Sequence, residues 1–364
     1  MKPIRVLALS RYSALGASSR LRMIQFIKPL AEKSIIVDLH PLFSDEYLQK
    51  HYNNVSAGLF TDILLPTLKR LKILLSASRY DVIWLQQEAF PFIPWFFEQL
   101  GARALPPIIM DCDDAIFHRY DKNPSRIIRH FLGRKIDHVM ATSQIVFAGN
   151  RYLAERAKNA GAKNVEHVPT VLDPSRYRFD RAAQPSHFRV GWVGTKSTSN
   201  YLYGIAPALA RAQKELGAEV VVIGAKGLNI PGVTLTYIEW TEDTEASEIE
   251  KLSIGIMPLA DTPWEYGKCG YKLLQYMACG LPVVASPIGA NKDIVTEAAT
   301  GFLPTSNTGW FDALKTIHDN RELAAAFGLA GRKRVESSYS INTVLPVIER
   351  GFRLAAGGIN SRVR

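Results

Sequence analysis

The sequence has little cysteine and no internal repeat, low-complexity tract or long unbroken apolar run. Cys112, Cys269 and Cys279 are its only cysteines and form no CxxC pair, which excludes a disulfide framework or a cysteine zinc site and points to a reducing compartment. The longest uncharged stretch, Leu273 to Asn291, holds two prolines and two glycines, so it does not read as a membrane span. The apolar run Val6–Leu9 is cut short by Arg11, well below the core of a secretory signal, and the expected location is cytoplasmic. GxGxxG and GxxxxGK[ST] are also missing, which weighs against ordinary NAD enzymes and P-loop ATPases.

The 364 residues suggest two domains, and 47% hydrophobic with 21% charged residues is ordinary globular usage. Lys and Arg number 44 against 34 Asp and Glu, a net charge of +10. Residues 1–175 hold 23 basic and 16 acidic side chains, so most of the excess lies in that half. Such a surface attracts nucleic acid, an anionic membrane or acidic substrates. No helix-turn-helix, zinc-finger or RNP pattern accompanies it, which leaves specific nucleic-acid binding without support.

Short runs that are apolar almost throughout recur with helical patterns between them, as parallel strands covered on both faces do. In the first half they are Ile4–Leu9, Ile35–Leu42, Asp81–Leu85, Pro107–Met110, His138–Thr142 and Glu166–Pro169. The second series is Phe188–Val193, Ala218–Ile223, Val233–Ile238, Ile254–Pro258, Leu281–Ala285 and Gly301–Leu303. Between Pro169 and Ser186 the pattern lapses, and the interdomain linker is placed there. The expected fold class is α/β with two Rossmann-like domains, 1–175 and 186–342. Residues 343–364 read as a C-terminal helix and tail, with a return to the first domain left open.

Both halves open with a strand entering a small-residue loop, where Gly16 and Gly194 would let a phosphate approach the main chain at a helix start. A turn alone would also need these glycines. The densest constellation is TPWEYGKCGYKLLQYMACGLPVVASPIGANKDIV at 262–295. There Lys268 and Lys272 frame a helix starting near Tyr271 and would set two cations beside a diphosphate, the alternative being two solvated lysines.

The stretch CGYKLLQYMACGLPVVASPIGANKDIV followed by GFL resembles the signature of GT-B glycosyltransferases of the family-4 (group 1) type. GASSRLRMIQFIKPL, DCDDAIF at 111–117, HVPTVLD at 167–173 and GRKRVESSYS at 331–340 extend the likeness more loosely. The resemblance implies two domains facing a central cleft, the first binding the acceptor and the second a UDP- or GDP-linked sugar. It further implies a retaining, metal-independent transfer without a cofactor. Lys268 and Lys272 would then ease departure of the diphosphate. Gly16, Gly194, Lys196, Glu265, Gly270, Tyr271, Gln275 and Asn291 would bind the donor. The acceptor would be a glycan or lipid-linked molecule of surface polysaccharide or lipopolysaccharide biosynthesis.

One departure concerns the two family glutamates, whose positions here hold Gly267 and Gln275. Gln275 retains a hydrogen bond to a ribose hydroxyl; Gly267 has no side chain, which leaves the sugar contact to Glu265 or backbone. A non-catalytic GT-B partner protein therefore stands as an alternative, and so does a nucleotide-sugar epimerase, which can share the two-domain architecture.

Asp111, Asp113 and Asp114 follow the strand Pro107–Met110, where carboxylates would orient acceptor hydroxyls, act as a base, or cap the next helix. His118 reads as a surface histidine, although the resemblance implies an alternative in which it approaches the donor sugar. The segments 64–79 and 119–135 are basic and partly apolar, suited either to an anionic membrane surface or to a core-facing stripe with a solvated edge. Trp84, Trp95, Phe96 and Phe97 form an aromatic group that would line an acceptor groove or simply fill the core.

Overall fold

A computed structural model describes residues 2–52, 55, 58–96, 105–179 and 187–357. The chain divides into two compact units, Met1–Thr170 with Val344–Arg364 and Val171–Thr343. The division falls between Thr170 and Val171, at the start of the expected linker, and residues 180–186 of that linker lie outside the described residues.

In the first unit the strands are β1 (Ile4–Tyr12), β2 (Ile35–Phe43), β3 (Val82–Gln86), β4 (Ile108–Cys112), β5 (Ile145–Ala148) and β6 (Val165–His167). They form one parallel sheet in the order β2-β1-β3-β4-β5-β6. Its helices include α1 (Gln25–Glu32), α2 (Asp45–Tyr52), α3 (Leu65–Leu75), α4 (Arg126–Leu132), α5 (Lys135–Thr142) and α6 (Arg151–Asn159). Asn150 caps α6 by accepting from Leu153 N at 2.9 Å.

The expected strand at His138–Thr142 is corrected: those residues end α5, and the strand is β5, three residues further on. Ile136, Val139 and Met140 are buried at helical spacing, so the run His-Val-Met-Ala-Thr packs as a helix face. Val6–Leu9, Val82–Leu85, Ile109–Cys112 and Ile145–Ala148 are all nearly fully buried, as strands covered on both faces must be.

In the second unit β7 (Arg189–Gly194), β8 (Glu219–Gly224), β9 (Leu235–Ile238), β10 (Ile254–Met257), β11 (Val283–Ala285) and β12 (Gly301–Phe302) form a second parallel sheet, ordered β12-β11-β10-β7-β8-β9. Its helices include α7 (Ala206–Leu216), α8 (Glu245–Glu250), α9 (Tyr271–Ala278), α10 (Asn307–Asp319) and α11 (Arg321–Ser338). Gly217 ends α7 at φ 62°, a left-handed position glycine takes at no steric cost.

The last helix, α12 (Ile341–Gly357), packs within the first unit from Val344 onward. Phe352 meets Trp84 edge-on at 5.2 Å and Phe147 at 6.3 Å. Gly351 makes this possible, because a Cβ there would stand 2.6 Å from the Phe147 ring. Residues 358–364, the expected tail, lie outside the described residues.

Candidate functional site

Each sheet reverses its strand order once, between β1 and β3 in the first unit and between β7 and β10 in the second. In open α/β sheets, ligands bind beyond the carboxyl ends of the strands at such a point. Most of the residues singled out from sequence fall at one of these two places.

In the second unit Gly194 ends β7, and the segments after β7, β10 and β11 carry Lys196, then Glu265, Lys268 and Gly270, then Asn291. Two contacts tie α9 to this end of the sheet. Val193 N donates to Tyr276 Oη at 2.9 Å. The Tyr276 ring lies over Gly255 of β10, where a Cβ would come within 2.1 Å of it. This anchoring brings Lys272 to the end of β7.

The Lys272 ammonium sits 4.5 Å from the centre of the Trp192 ring, and a Cβ on Gly194 would lie 3.0 Å from its Nζ and 2.5 Å from the indole. Gly194 is thus the space in which the cation and the ring meet. No carboxylate pairs with Lys272 among the described residues. Burial, with Lys268 repelling it, pulls its ammonium down to about 7. The Trp192 indole N–H, also buried, donates to no partner among the described residues.

Gly270 precedes α9 at φ 68°, and a side chain there would strike Ile294. Asn291 is almost fully buried beside it: its amide nitrogen donates to Ser286 O at 3.0 Å, while Oδ1 accepts nothing among the described residues. Glu265 is also buried, and accepts from Tyr201 Oη at 2.6 Å and from Thr262 Oγ1. Lys268 lies 5.6 Å over the Trp264 ring, and Lys196 is exposed at the start of the turn Lys196–Ile205. The start of α9, the Lys272 ammonium over the Trp192 ring and the nearby charge of Lys268 form an arrangement that can hold an anion.

Gln275 is 2% exposed and its amide nitrogen donates to Tyr177 Oη at 3.3 Å. Tyr177 in turn stands 3.4 Å from Tyr271 Oη and 3.3 Å from Glu245 Oε1. Glu245, at the start of α8, also accepts from the Trp240 indole. Sequence reasoning missed Tyr177, Glu245, Trp192 and Tyr201, because partners 60 or more residues apart leave no local spacing signal.

In the first unit Gln86, at the end of β3, accepts from Arg11 N at 2.8 Å and Ser19 Oγ at 2.9 Å, and donates to Ser18 Oγ at 2.6 Å. Asp113 is half-buried here and accepts from Gln87 at 3.0 Å and from Ser18. Asp114 is half-buried too and accepts from Ala115 N at 3.3 Å. The turn His118–Asp121 takes its cap from Phe117, so neither aspartate caps it.

The reading of Asp111 as an acceptor-facing carboxylate is corrected. It is fully buried, with Arg22 donating to both oxygens at 2.8 and 3.3 Å. Burial pushes its carboxyl up, to about 6, against the pull of Arg22. A π-helical turn, Arg20–Ile24, swings Arg22 inward, where it also donates to Val168 O at 2.7 Å. Gly16 is buried, its missing side chain explained by the Tyr12 Cβ 2.4 Å from where a Cβ would stand.

His118 is corrected as well: it is buried, with its two ring nitrogens 2.7 Å from Asp121 Oδ1 and 2.8 Å from Tyr152 Oη. Trp84 belongs to the core, Trp95 stacks on His138 at 4.0 Å, Phe96 is exposed, and Phe97 lies outside the described residues. An unforeseen ion cluster fills the loop after β3. There buried Glu88 accepts from Lys135 at 2.9 Å, Tyr120 at 2.7 Å and Arg11 at 3.5 Å.

Residues 187–320 match the family model of Glycosyl transferases group 1. No curated protein matches the chain in sequence. Among solved structures, sucrose-phosphate synthase from Thermosynechococcus elongatus is similar over 98% of this chain and 100% of its own, with a TM-score of 0.71 and 16% identity. Anabaena HepE in complex with UDP-glucose is similar over 98% and 100%, at TM-score 0.67 and 15% identity. A glycosyltransferase from Rickettsia africae covers 98% and 99%, at TM-score 0.68 and 11% identity. The chain has the GT-B fold. It is a glycosyltransferase, and its second unit carries the group 1 domain.

Proposed function

We propose that this glycosyltransferase moves a hexose from a UDP- or GDP-linked donor held on the second unit to a glycan or lipid-linked acceptor, with retention at the anomeric carbon. The acceptor would belong to surface polysaccharide or lipopolysaccharide biosynthesis, with the enzyme cytoplasmic at the inner face of the membrane. The observation that carries the donor reading is the Lys272 ammonium, lacking an anionic partner among the described residues, between Gly194 and Trp192 at the β7–β10 reversal. The UDP-glucose held by HepE supports the same donor class.

In the proposed reaction the bond from the anomeric carbon to the diphosphate oxygen breaks, and the electron pair leaves with the diphosphate. Lys272, Lys268 and the start of α9 stabilise that growing charge, which makes a metal ion unnecessary in this reading. The acceptor hydroxyl attacks from the face the diphosphate leaves, and its proton passes to the departing oxygen. Gly194, Lys196, Gly270, Tyr271 and Asn291 would surround the nucleotide, with Glu265 taking a sugar hydroxyl. Gln275, turned toward Tyr177, would act on the nucleoside through that tyrosine. In the first unit Gly16, Asp113 and Asp114 would border the acceptor.

Thermal-shift measurements with UDP, GDP, ADP and CMP test the donor reading, since a ligand of the folded state raises the melting temperature. UDP or GDP should raise it in wild type and much less in Lys272→Met. No response to any nucleotide would contradict the reading.

A further inference from the structure

We propose that the segment Leu59–Leu75 of the first unit docks on an anionic membrane, and that the cavity beneath α3 receives a phospholipid head group. This deepens the reading above, resting on it only for the membrane-associated acceptor. Phe60, Ile63, Leu64, Leu68, Leu71 and Leu75 recur at three- and four-residue steps and are between 43% and 80% exposed. A helix of a soluble domain ordinarily turns such a stripe to its core. Here the buried residue of α3 is Arg70, so the apolar face is the outer one.

The charge around that face has one net sign. Lys69 and Lys72 are exposed on α3. The acidic residue of the segment, Asp62, is bound by Lys50 at 3.0 Å and by Gly58 N at 2.7 Å. An apolar stripe edged by lysines fits an anionic bilayer, where the leucines enter the acyl boundary and the ammonium groups stay at the head groups.

Beneath α3 lies a cavity of about 230 Å³, lined by Ser44, Tyr47, Thr61, Asp62, Lys69 and Arg70 among others. Arg70 is 2% exposed, and its Nη2 donates to Ser10 O at 2.6 Å and His40 O at 2.9 Å. Its Nε donates to nothing, and no carboxylate pairs with it among the described residues. Burial pulls the guanidinium down to about 9. A buried cation without a counter-ion is costly, and a phosphate supplies two oxygens that match the guanidinium fork. With Asp62 neutralised by Lys50, the remaining charges on the cavity, Arg70 and Lys69, are both positive.

Cosedimentation of the full chain with vesicles tests the proposal, using phosphatidylcholine alone or with about 30% phosphatidylglycerol at near-physiological salt. Wild type should bind the anionic vesicles at least about tenfold more tightly, and Leu68→Gln/Leu71→Gln should lose at least about tenfold of that affinity while binding UDP as before. Dihexanoyl phosphatidylglycerol, as a soluble monomer, should raise the melting temperature of wild type and of that double variant alike, and should not raise that of Arg70→Met. Equal binding to the two vesicle types, or none, would overturn the proposal. So would a dimer that the double variant dissolves, since a second copy would then be the occupant. An equal shift with inorganic phosphate would overturn the head-group assignment. Anionic-vesicle binding that persists in a protein indifferent to every nucleotide would support the docking surface and refute the donor reading alone.

Discussion

With the donor seated as proposed, Lys272 would make nucleotide binding a proton-uptake reaction. In the free protein its ammonium is held near 7 against an ordinary 10.5, so it is about half protonated at pH 7 and about one-tenth protonated at pH 8. A diphosphate beside it favours the charged form and returns it toward its ordinary range. Binding UDP should therefore take up about 0.5 proton at pH 7 and about 0.9 at pH 8. The sign follows directly: affinity is full well below pH 7, about half of that at pH 7, and is lost further as pH rises. With the bound lysine protonated throughout, the fall between pH 7 and pH 9 is about fiftyfold, a little over 2 kcal/mol. Over that range the terminal phosphate, with its second ionisation near 6, contributes little change. Calorimetric titration of UDP in two buffers of different ionisation enthalpy measures the uptake, and Lys272→Met should abolish it while weakening binding. An affinity flat from pH 7 to pH 9, or uptake unchanged in the variant, would refute the reasoning.

Gly194→Ala should displace both the indole and the ammonium, since the new methyl would meet them at 2.5 and 3.0 Å. We expect UDP affinity to fall at least about tenfold and stability by about 1–3 kcal/mol, read by calorimetry and urea unfolding. Lys135→Met leaves Glu88 buried with only Arg11 and Tyr120, and should cost about 3–5 kcal/mol in urea unfolding. UDP binding should survive, because the cluster belongs to the first unit. Glu265→Gln should leave UDP affinity unchanged and weaken binding of the complete sugar nucleotide, which competition calorimetry separates.

Most strands were legible because a parallel sheet covered on both faces leaves continuous apolar runs. The exception, His138–Thr142, shows the limit of that signal: five residues with apolar character fit a helix face as well as a strand, and only packing decided. Of the candidate donor site, Lys268, Gly270 and Lys272 were visible as glycine and lysine around a helix start. Trp192 was not, since it meets Lys272 only after β7 and α9 come together across 80 residues of chain. Asp111 misled for a related reason. A carboxylate at a strand end looks available in sequence, and nothing near it announces that Arg22 reaches it from a π-helical turn. Segment 64–79 offered two readings, and exposure of Leu68, Leu71 and Leu75 answers which way its apolar face turns.

The central claim is that the turn before Tyr271 grips the diphosphate of an activated sugar. A crystal structure with an intact UDP- or GDP-sugar tests it most directly. The account predicts a diphosphate oxygen about 3 Å from Lys272 Nζ, beside Gly194 and the start of α9. A nucleotide seated elsewhere, with Lys272 still over Trp192 and bound to no phosphate, would contradict it.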